Sequence, residues 1–425
     1  KKVLKGNLKS EIKFNQKSTC LKKYKMRYPK ILIISEFSFN SNSGTGLLYK
    51  NLFEGYPKER IGLIHEDITF HDYSLGLSIC LKSKNKLFNI LIKLLPNKIK
   101  HFFKKIIIFL RKTITKTKYS ETTFCNKDYI KKFNPDIIYT ILGNRELMQY
   151  IKDVHKYFRF PLIMHIMDNW IDQINKEEIE KRNLLTYFVN SAKIRIAIND
   201  KMAEVYQIKF KKKFNVIHNC LDRKKVKQLN NLNKIKVIRY IGSAFENAQL
   251  DSLIRISEAV AILNNQKKKI LFEIYLPDHQ LKLYKSRFPN HHNIILKLNK
   301  FDDDEYFNLI SKTNLLILAS NFDDKSINYY KYSWPAKMPS YLMSNVPIFI
   351  LGPTDIFFIS EAKKKKWGFV CKENEIVNIQ KSLLKILYND KIKDILVKNA
   401  INESEKFEQD LMKKKFHKIL FLSNK

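Results

Sequence analysis

Short apolar runs alternate with helical stretches along this chain, and the first series of them opens a domain. It begins with Lys30–Ser35, and further candidate strands follow at Ile61–Ile64, Asp136–Ile141, Leu162–His165, Arg195–Ile198 and Val216–His218. Stretches with helical spacing, such as Asn144–Tyr157 and Lys201–Phe210, stand between them. Because strands that alternate with helices build parallel sheets, the sequence predicts an α/β fold of the doubly wound type.

A second series of strands follows a polar connector rich in Asn and Lys. Its candidates are Val237–Ile241, Leu271–Tyr275, Ile294–Leu298, Leu315–Leu318 and Ile348–Leu351. We therefore predict a basic extension (1–28), a first Rossmann-like domain (29–222), a linker (223–234), a second Rossmann-like domain (235–400) and a C-terminal helix that returns to the first domain (401–425). Two such domains leave a cleft between the carboxyl ends of their strands, where parallel sheets bind ligands.

Composition excludes several classes of protein. Hydrophobic residues make up 44% of the 425 residues, so the chain is not intrinsically disordered. No run of about 18 apolar residues occurs, and the basic N-terminus lacks the apolar core of a secretory signal. Five widely spaced cysteines without a C-x-x-C pair indicate a reducing cytoplasm and disfavour a zinc site. The net charge of +38 leaves a solvated basic surface and an anionic partner equally open.

The basic character is strongest in Leu81–Lys118, which holds twelve Lys and Arg and no Asp or Glu. Leu, Ile and Phe are interleaved with the charges, and Pro96 divides the stretch into two helical pieces. A helical insertion whose apolar face packs on its own domain is the commoner outcome. The functional alternative is an interfacial helix on an anionic membrane, which would place the protein peripherally on the inner face of the cell membrane. No aromatic-plus-basic nucleic-acid motif occurs, so nucleic acid is not expected as a partner.

The segment Lys331–Asp355 has the pattern of an anion site. It reads as a loop at Ser333, a short helix that opens with Lys337, a buried strand at Val346–Leu351 and a turn at Gly352-Pro353. A lone cation at the opening turn of a helix, beside the carboxyl ends of strands, suits a diphosphate, because free N–H groups and the ammonium then meet one anion.

The same segment resembles the nucleotide-sugar-binding element of the retaining family-4 glycosyltransferases, S-x-P-x-K-x-x-E-Y-L-x-S-G-x-P-I-x-x-x-G-P. One departure is that Ser340 stands where the family has a ribose-binding Glu. RYIGSAFENAQ resembles the first strand and loop of the family's nucleotide domain, and NVIHNCLD its interdomain element. The resemblance implies a set of donor-binding residues: Gly242, Ser243, Asn247, Ser333, Lys337, Ser340, Tyr341, Gly352 and Pro353.

Residues of the first domain match further parts of that family. His165 and Asp168 in PLIMHIMDNW resemble its H-D loop, which implies that His165 touches the donor sugar and Asp168 lies near the acceptor. As an isolated pair, they would more often be a core histidine and a turn aspartate. The turn Ser43, Gly44, Thr45 and Gly46 resembles the flexible loop that closes over the donor diphosphate or the acceptor. It lacks the G-x-G-x-x-G spacing, so NAD binding is disfavoured.

Two acidic runs raise the question of a metal. Asp302–Asp304 precede a helical stretch and are better explained as an N-cap with charges that suit the helix dipole. Asp323-Asp324 lie in a loop near the donor segment. A D-x-D metal clamp belongs to the other main glycosyltransferase fold, so we expect no catalytic metal.

The resemblance implies the GT-B fold, in which two Rossmann-like domains face each other across a cleft. The expected activity is metal-independent transfer of a sugar from a nucleotide-diphosphate donor to a glycan or lipid-linked cell-surface acceptor, with retention of configuration and no cofactor. Two alternatives stay open: a nucleotide-sugar 2-epimerase on the same scaffold, and a non-catalytic basic membrane-binding protein on a decayed scaffold. Turnover of nucleotide sugars separates the three.

Overall fold

The computed structural model describes residues 28–39, 43–70, 72, 74–81, 126–173, 179–227 and 235–423. They form two sheets, one of seven strands and one of six. The first sheet contains β1 (Ile31–Ser35), β2 (Ile61–His65), β3 (Leu77–Cys80), β4 (Ile137–Ile141), β5 (Leu162–Ile166), β6 (Ile194–Ala197) and β7 (Asn215–Val216). The second contains β8 (Lys236–Ile241), β9 (Ile270–Leu276), β10 (Ile294–Leu298), β11 (Leu315–Ala319), β12 (Ile348–Leu351) and β13 (Phe369–Cys371).

The strand orders are those of doubly wound sheets. The first sheet runs β3-β2-β1-β4-β5-β6-β7 and the second β10-β9-β8-β11-β12-β13. Every pairing between these strands is parallel. In each sheet the order reverses beside the first strand of its series, and this switch point is where parallel sheets bind ligands. The expected fold class, two Rossmann-like parallel-sheet domains, is confirmed.

Helices cover both sheets. Those of the first domain are α1 (Gly44–Leu52), α2 (Lys127–Phe133), α3 (Arg145–Phe158), α4 (Trp170–Gln173), α5 (Ile179–Ser191) and α6 (Asp200–Phe210). Those that follow are α7 (Leu250–Asn265), α8 (Asp278–Tyr284), α9 (Asp303–Ser311), α10 (Asp324–Tyr330), α11 (Met338–Met343), α12 (Phe357–Lys365), α13 (Ile376–Leu387), α14 (Asp390–Ser404) and α15 (Gln409–Ser423).

Both faces of each sheet are buried. On β1, Leu32 and Ile34 pack into one apolar core, whereas Ile31 and Ile33 pack into the core on the opposite face. The alternation of side chains along a strand sends neighbours to opposite faces, so a strand buried on both sides is apolar throughout. This explains why the central strands are visible in the sequence as continuous apolar runs.

Each predicted strand overlaps an observed one, although Val216–His218 shares only Val216 with β7, and two edge strands are missing from the sequence-based prediction. β3 and β13 are the outermost strands of their sheets, and most of their residues are only partly buried. A short edge strand lacks the continuous apolar run of a central one, which leaves little signal. The final helix also differs from expectation: α14 ends at Ser404, a 3-10 turn follows at Glu405–Phe407, and α15 begins at Gln409.

The C-terminal helix α15 packs against the first sheet. Met412 and Phe416 are fully buried in the core that also contains Ile31 and Ile33. Gln409 fixes the start of the helix, because its N–H donates to the Leu221 carbonyl at 3.1 Å and its Nε2 donates to the Asn51 carbonyl at 2.8 Å. The polypeptide thus crosses from the second domain back to the first.

Several regions of the sequence-based prediction lie outside the described residues. They are the N-terminal extension before Tyr28, the basic stretch after Leu81 and residues 228–234 of the linker. Among the residues that the structure describes, no helix is both long and apolar enough to cross a membrane.

Candidate functional site

The two domains meet at the carboxyl ends of their strands. Asn169, which follows β5, donates from Nδ2 to the Asn328 carbonyl at 2.8 Å. Asn199, which follows β6 and caps α6, donates from Nδ2 to the Tyr332 carbonyl at 2.7 Å. Loops at the strand ends of the first sheet therefore touch the segment before α11, and the cleft predicted from the sequence lies between them.

Lys337 stands at the N-cap of α11, on the floor of this cleft. Its Nζ lies 3.8 Å from the centroid of the Tyr240 ring, and a methyl group built on Gly242 would come within 2.7 Å of that nitrogen. Part of the side chain stays accessible, but the surrounding protein desolvates the ammonium and lowers the pKa of Lys337 to about 7.

No carboxylate pairs with Lys337 among the described residues. The ring of Tyr240 is the nearest compensating group, and a cation–π contact is weaker than an ion pair in a desolvated place. A partly desolvated cation without a counter-ion is costly to keep, and it gains most from an anion that enters from solvent. The site is therefore suited to a phosphate group.

The loop after β8 approaches this ammonium closely. Gly242 has φ +139°, a conformation that residues with a Cβ rarely adopt. Three of the loop's N–H groups already donate within the protein: Gly242 to the Tyr275 carbonyl at 3.0 Å, Ala244 to Gln280 Oε1 at 2.8 Å and Phe245 to Gln249 Oε1 at 2.9 Å. In the described structure the N–H of Ser243 has no acceptor, and Asn247, four residues later, is partly exposed.

The residues after Lys337 are more buried than the sequence suggests. The Ser340 hydroxyl donates to the Lys337 carbonyl at 2.8 Å and pairs with the Tyr306 hydroxyl at 2.8 Å. Tyr341 is fully buried, and its hydroxyl accepts the Ile241 N–H at 3.3 Å. Tyr341 thus ties α11 to the end of β8, and its place near a ribose stays a prediction.

Other residues of the donor segment shape its backbone. Ser333 is buried, with its N–H donating to the Tyr330 carbonyl at 2.9 Å. The turn at Gly352 and Pro353 is also buried, and a methyl group on Gly352 would lie 2.6 Å from Ile359. These residues hold the loop in place by packing.

His165 does not face the cleft. It is completely buried in β5, with Nδ1 hydrogen-bonded to the Tyr139 hydroxyl at 2.8 Å. It lies on the same face of β5 as Ile163, in the core beneath α15, because residues two apart on a strand share a face. Burial lowers the pKa of His165 to about 3, so the ring is neutral. In this structure the residue is packed as a core histidine, and its contact with a donor sugar stays a prediction.

Asp168 is accessible from the cleft, just beyond the end of β5. The protein around it reduces its solvation, and the carboxylate of Glu36 adds repulsion, which together raise the pKa of Asp168 to about 6. Burial raises the pKa of Tyr329, on the opposite wall, to about 12, and the negative charge of Asp168 contributes to this rise. Asp168 is thus an acceptor of hydrogen bonds that faces the second domain.

The Ser43–Gly46 turn is helical rather than an open loop. Ser43 is the N-cap of α1, since its Oγ accepts the Gly46 N–H at 2.9 Å. A methyl group on Gly44 would lie 2.8 Å from the Cβ of Ala336, so the backbone of this turn packs closely on the second domain. Thr45 contributes a contact of 3.8 Å from its hydroxyl to the Met167 sulfur. The turn therefore abuts the donor segment one residue before Lys337.

The acidic runs form helix caps. Asp302 and Glu305 make a capping box at the start of α9, as expected from the sequence. Asp323 caps α10, with its Oδ1 accepting the Ser326 N–H at 3.0 Å. Within the described ranges, no group of three or more His, Cys, Asp or Glu could hold a metal ion.

Several residues at the site escaped the sequence-based prediction. The sequence indicates only that Tyr240 belongs to a strand. An aromatic residue two positions before a loop glycine can, however, face the ligand that the loop binds. Tyr306 and Ala336 offered no signal, because their roles depend on which helix or turn packs opposite them. Glu36 follows β1 directly, and that position at a strand end was the available clue.

No family model and no curated protein sequence matches the chain. Solved structures do resemble it. A sucrose-phosphate synthase from Thermosynechococcus elongatus superposes with a TM-score of 0.64 at 12% identity, covering 93% of this chain and 99% of that one. Anabaena HepE in complex with UDP-glucose has a TM-score of 0.64 at 11% identity, covering 93% and 100%.

A putative UDP-N-acetylglucosamine 2-epimerase from Listeria monocytogenes also shares the architecture. Its TM-score is 0.56 at 13% identity, covering 91% of this chain and 95% of that one. At such low identities the likeness defines the fold alone. The chain has the two-domain GT-B fold.

Proposed function

We propose that this protein is a glycosyltransferase that uses a nucleotide-diphosphate sugar. The observation that carries the proposal is Lys337, a desolvated ammonium without a carboxylate partner, packed against Gly242 at the meeting point of two Rossmann-like domains. The GT-B architecture supports it, since HepE, which shares the fold, was captured with UDP-glucose.

The Lys337 ammonium would bind the diphosphate and stabilise the negative charge that grows on it as the bond to the sugar breaks. Such charge stabilisation in a site prepared for it is usually the largest contribution to a rate enhancement. In the reaction we propose, the departing diphosphate also takes the proton of the acceptor hydroxyl. The sugar is then transferred with retention of configuration and without a metal.

Asp168 would hold the acceptor. It lies across the cleft from the donor segment and exposes a carboxylate that can accept a hydrogen bond from the reacting hydroxyl. Its position orients the oxygen that attacks the sugar, and correct orientation alone can supply a large part of the acceleration. We propose a glycan or a lipid-linked cell-surface precursor as the acceptor, at the inner face of the cell membrane.

The remaining proposed donor residues surround Lys337. The Ser243 N–H can donate to a phosphate oxygen, and Asn247 lies beside it. Ser340 and Tyr306 offer neutral hydroxyls next to Lys337 for a ribose. Since both hydroxyls already bond to each other, a ribose would be held less strongly than by a carboxylate.

The test is a panel of UDP-, GDP- and dTDP-sugars with the purified full-length protein, with released nucleotide and rearranged sugar measured separately. Release of nucleoside diphosphate only in the presence of a glycan or lipid-linked acceptor supports transfer. Conversion of a UDP-sugar into its 2-epimer would instead support an epimerase, which the fold also accommodates. Failure to bind any nucleoside diphosphate in calorimetry would reject both.

A further inference from the structure

One face of the first domain combines lysines with tyrosines that are largely exposed. It is formed by α2, α3 and α5, which lie on the same side of the first sheet and share one apolar core. The side chains of Tyr129 on α2 and Tyr157 on α3 are each 60% exposed, and Ile179 on α5 is also 60% exposed. We call the outer surface of α2 and of the last half of α3, with Tyr187 of α5, the α2–α3 face.

Two of the rings on this face, those of Tyr157 and Tyr187, contact other side chains of the domain. The Tyr157 ring meets Phe158 at 4.8 Å between centroids, and Phe158 stacks on Phe160 at 5.4 Å, with both phenylalanines packed on the core. The hydroxyl of Tyr187 bonds to His155 Nδ1 at 2.7 Å. Exposed aromatic side chains with little conformational freedom lose little entropy when they bind a surface.

Lysine ammonium groups lie over two of these rings. The Lys127 ammonium lies 3.9 Å from the Tyr157 centroid, and those of Lys152 and Lys156 lie 5.3 and 5.9 Å from the Tyr187 centroid. Further positive charges complete the face: Lys131 and Lys132 of α2 and Arg159 after α3. Among the described residues of the face, the carboxylates are those of Asp128 and Asp153, and burial raises the pKa of Asp153.

This arrangement favours a lipid headgroup layer over nucleic acid. A base stacks on the open face of an aromatic ring, but here lysines already stand over the faces of Tyr157 and Tyr187. An interfacial tyrosine needs only its edge and hydroxyl among the headgroups, while neighbouring ammonium groups meet the phosphates.

We propose that the α2–α3 face docks on an anionic lipid bilayer, with Lys131, Lys132 and Lys156 on headgroup phosphates and Tyr129 and Tyr157 at headgroup depth. This adds a membrane-binding surface to the proposed function and does not depend on it. The basic Leu81–Lys118 stretch precedes α2 in the sequence, and its residues after Leu81 lie outside the described part of the chain. The α2–α3 face contributes to membrane binding separately from that stretch, and substitutions within the face measure this contribution.

The test is co-sedimentation of the full-length protein with vesicles of equimolar phosphatidylglycerol and phosphatidylcholine. A triple reversal, Lys131→Glu, Lys132→Glu and Lys156→Glu, should lower the partition coefficient by at least about tenfold, since each cation near such a surface contributes appreciably. The matched control reverses three exposed lysines of the second domain, Lys363→Glu, Lys364→Glu and Lys372→Glu. It changes the net charge equally and should leave binding within about twofold.

A second variant tests the tyrosines. Tyr129→Ser with Tyr157→Ser keeps the charge and should remove the binding that persists at high salt, because charge attraction is screened there and ring insertion is not. The proposal is overturned if both triple reversals weaken binding equally, if purely phosphatidylcholine vesicles bind as well as anionic ones, or if the face reversals weaken binding to duplex DNA but not to vesicles. Donor turnover with a water-soluble acceptor, measured in parallel, reports on the proposed function independently.

Discussion

Lys337 places a charge where the protein solvates it poorly, and this should make the residue a burden on the fold. Replacement by an uncharged side chain of similar length removes that cost. We predict that Lys337→Met raises or preserves the melting temperature but weakens binding of UDP or another nucleoside diphosphate by at least about tenfold, since a charge-assisted contact contributes roughly 1.5–3 kcal/mol. Thermal melts and calorimetry on the same sample measure the two effects. A variant that loses stability yet keeps its affinity would make Lys337 a structural residue.

The lowered pKa of Lys337 also predicts how binding depends on pH. Its value of about 7 means that half of the ammonium groups are deprotonated at neutral pH without ligand. A diphosphate binds the charged form better, so affinity should be highest below pH 7 and fall by up to about tenfold per pH unit above it. Calorimetry from pH 6 to 9 should show this slope, and Lys337→Met should remove it. An identical slope in the variant would assign the dependence to the nucleotide.

Asp168 predicts a second pH dependence, in which turnover falls at acid pH, whereas the nucleotide affinity set by Lys337 falls at alkaline pH. Its pKa of about 6 leaves the carboxylate ionised at neutral pH and protonated below that value, so turnover should fall as the pH drops through 6. We expect Asp168→Asn to lower kcat by on the order of 10² and to flatten this acid limb, while nucleotide affinity stays within a few fold. The measurement is a pH profile of kcat for both proteins. A variant that retained both the rate and the limb would remove Asp168 from the acceptor site.

At the scale of elements, the loop after β8 and the start of α11 work as one unit. Gly242 has φ +139°, and an added methyl group would collide with the Lys337 ammonium at 2.7 Å. Gly242→Ala should therefore destabilise the fold by roughly 1–3 kcal/mol and also displace Lys337 enough to abolish most nucleotide binding. Gly55→Ala is the matched control, because Gly55 also has positive φ (+77°) but nothing lies within 4 Å of the added methyl. The Gly55→Ala variant should lose stability and keep its affinity for the nucleotide.

How far the sequence predicts an element depends on how local its signal is. The apolar runs of the central strands and the isolated cation in the Lys337 segment are local signals, and both can be read directly from the sequence. The pairing of Tyr306 with Ser340 joins residues 34 apart, and only the packing of α9 on α11 brings them together. The burial of His165 is also readable from the sequence, because the alternation of side chains in β5 puts it on the same buried face as Ile163.

At the scale of the whole molecule, α1 contacts the second domain at both of its ends. Its first turn abuts the donor segment at Ala336, and Lys50 in its last turn reaches Asp303 of the second domain at 3.0 Å. Lys225, after the first domain, lies 3.6 Å from the same carboxylate. Burial acts to raise the pKa of Asp303, but the two ammonium groups outweigh it and lower the pKa. The contacts are therefore present above the ordinary pKa of an aspartate and are lost as the pH falls through the lowered one.

This ionic contact should set the balance between open and closed domains. Lys50 and Asp303 are both substantially exposed, so the pair contributes at most about 1 kcal/mol, and Lys50→Ala should weaken nucleotide affinity by about two- to fivefold without unfolding the protein. Raising the salt concentration should lower the nucleotide affinity of the wild-type protein to that of the Lys50→Ala variant. Lys282→Ala is the control, because it removes an ion pair of 2.6 Å to Asp278 inside α8. It should change neither the nucleotide affinity nor its dependence on salt. Small-angle scattering measures the outcome directly: the radius of gyration of Lys50→Ala without nucleotide should exceed that of both other proteins, and equal radii would mean that Lys50 plays no part in closure.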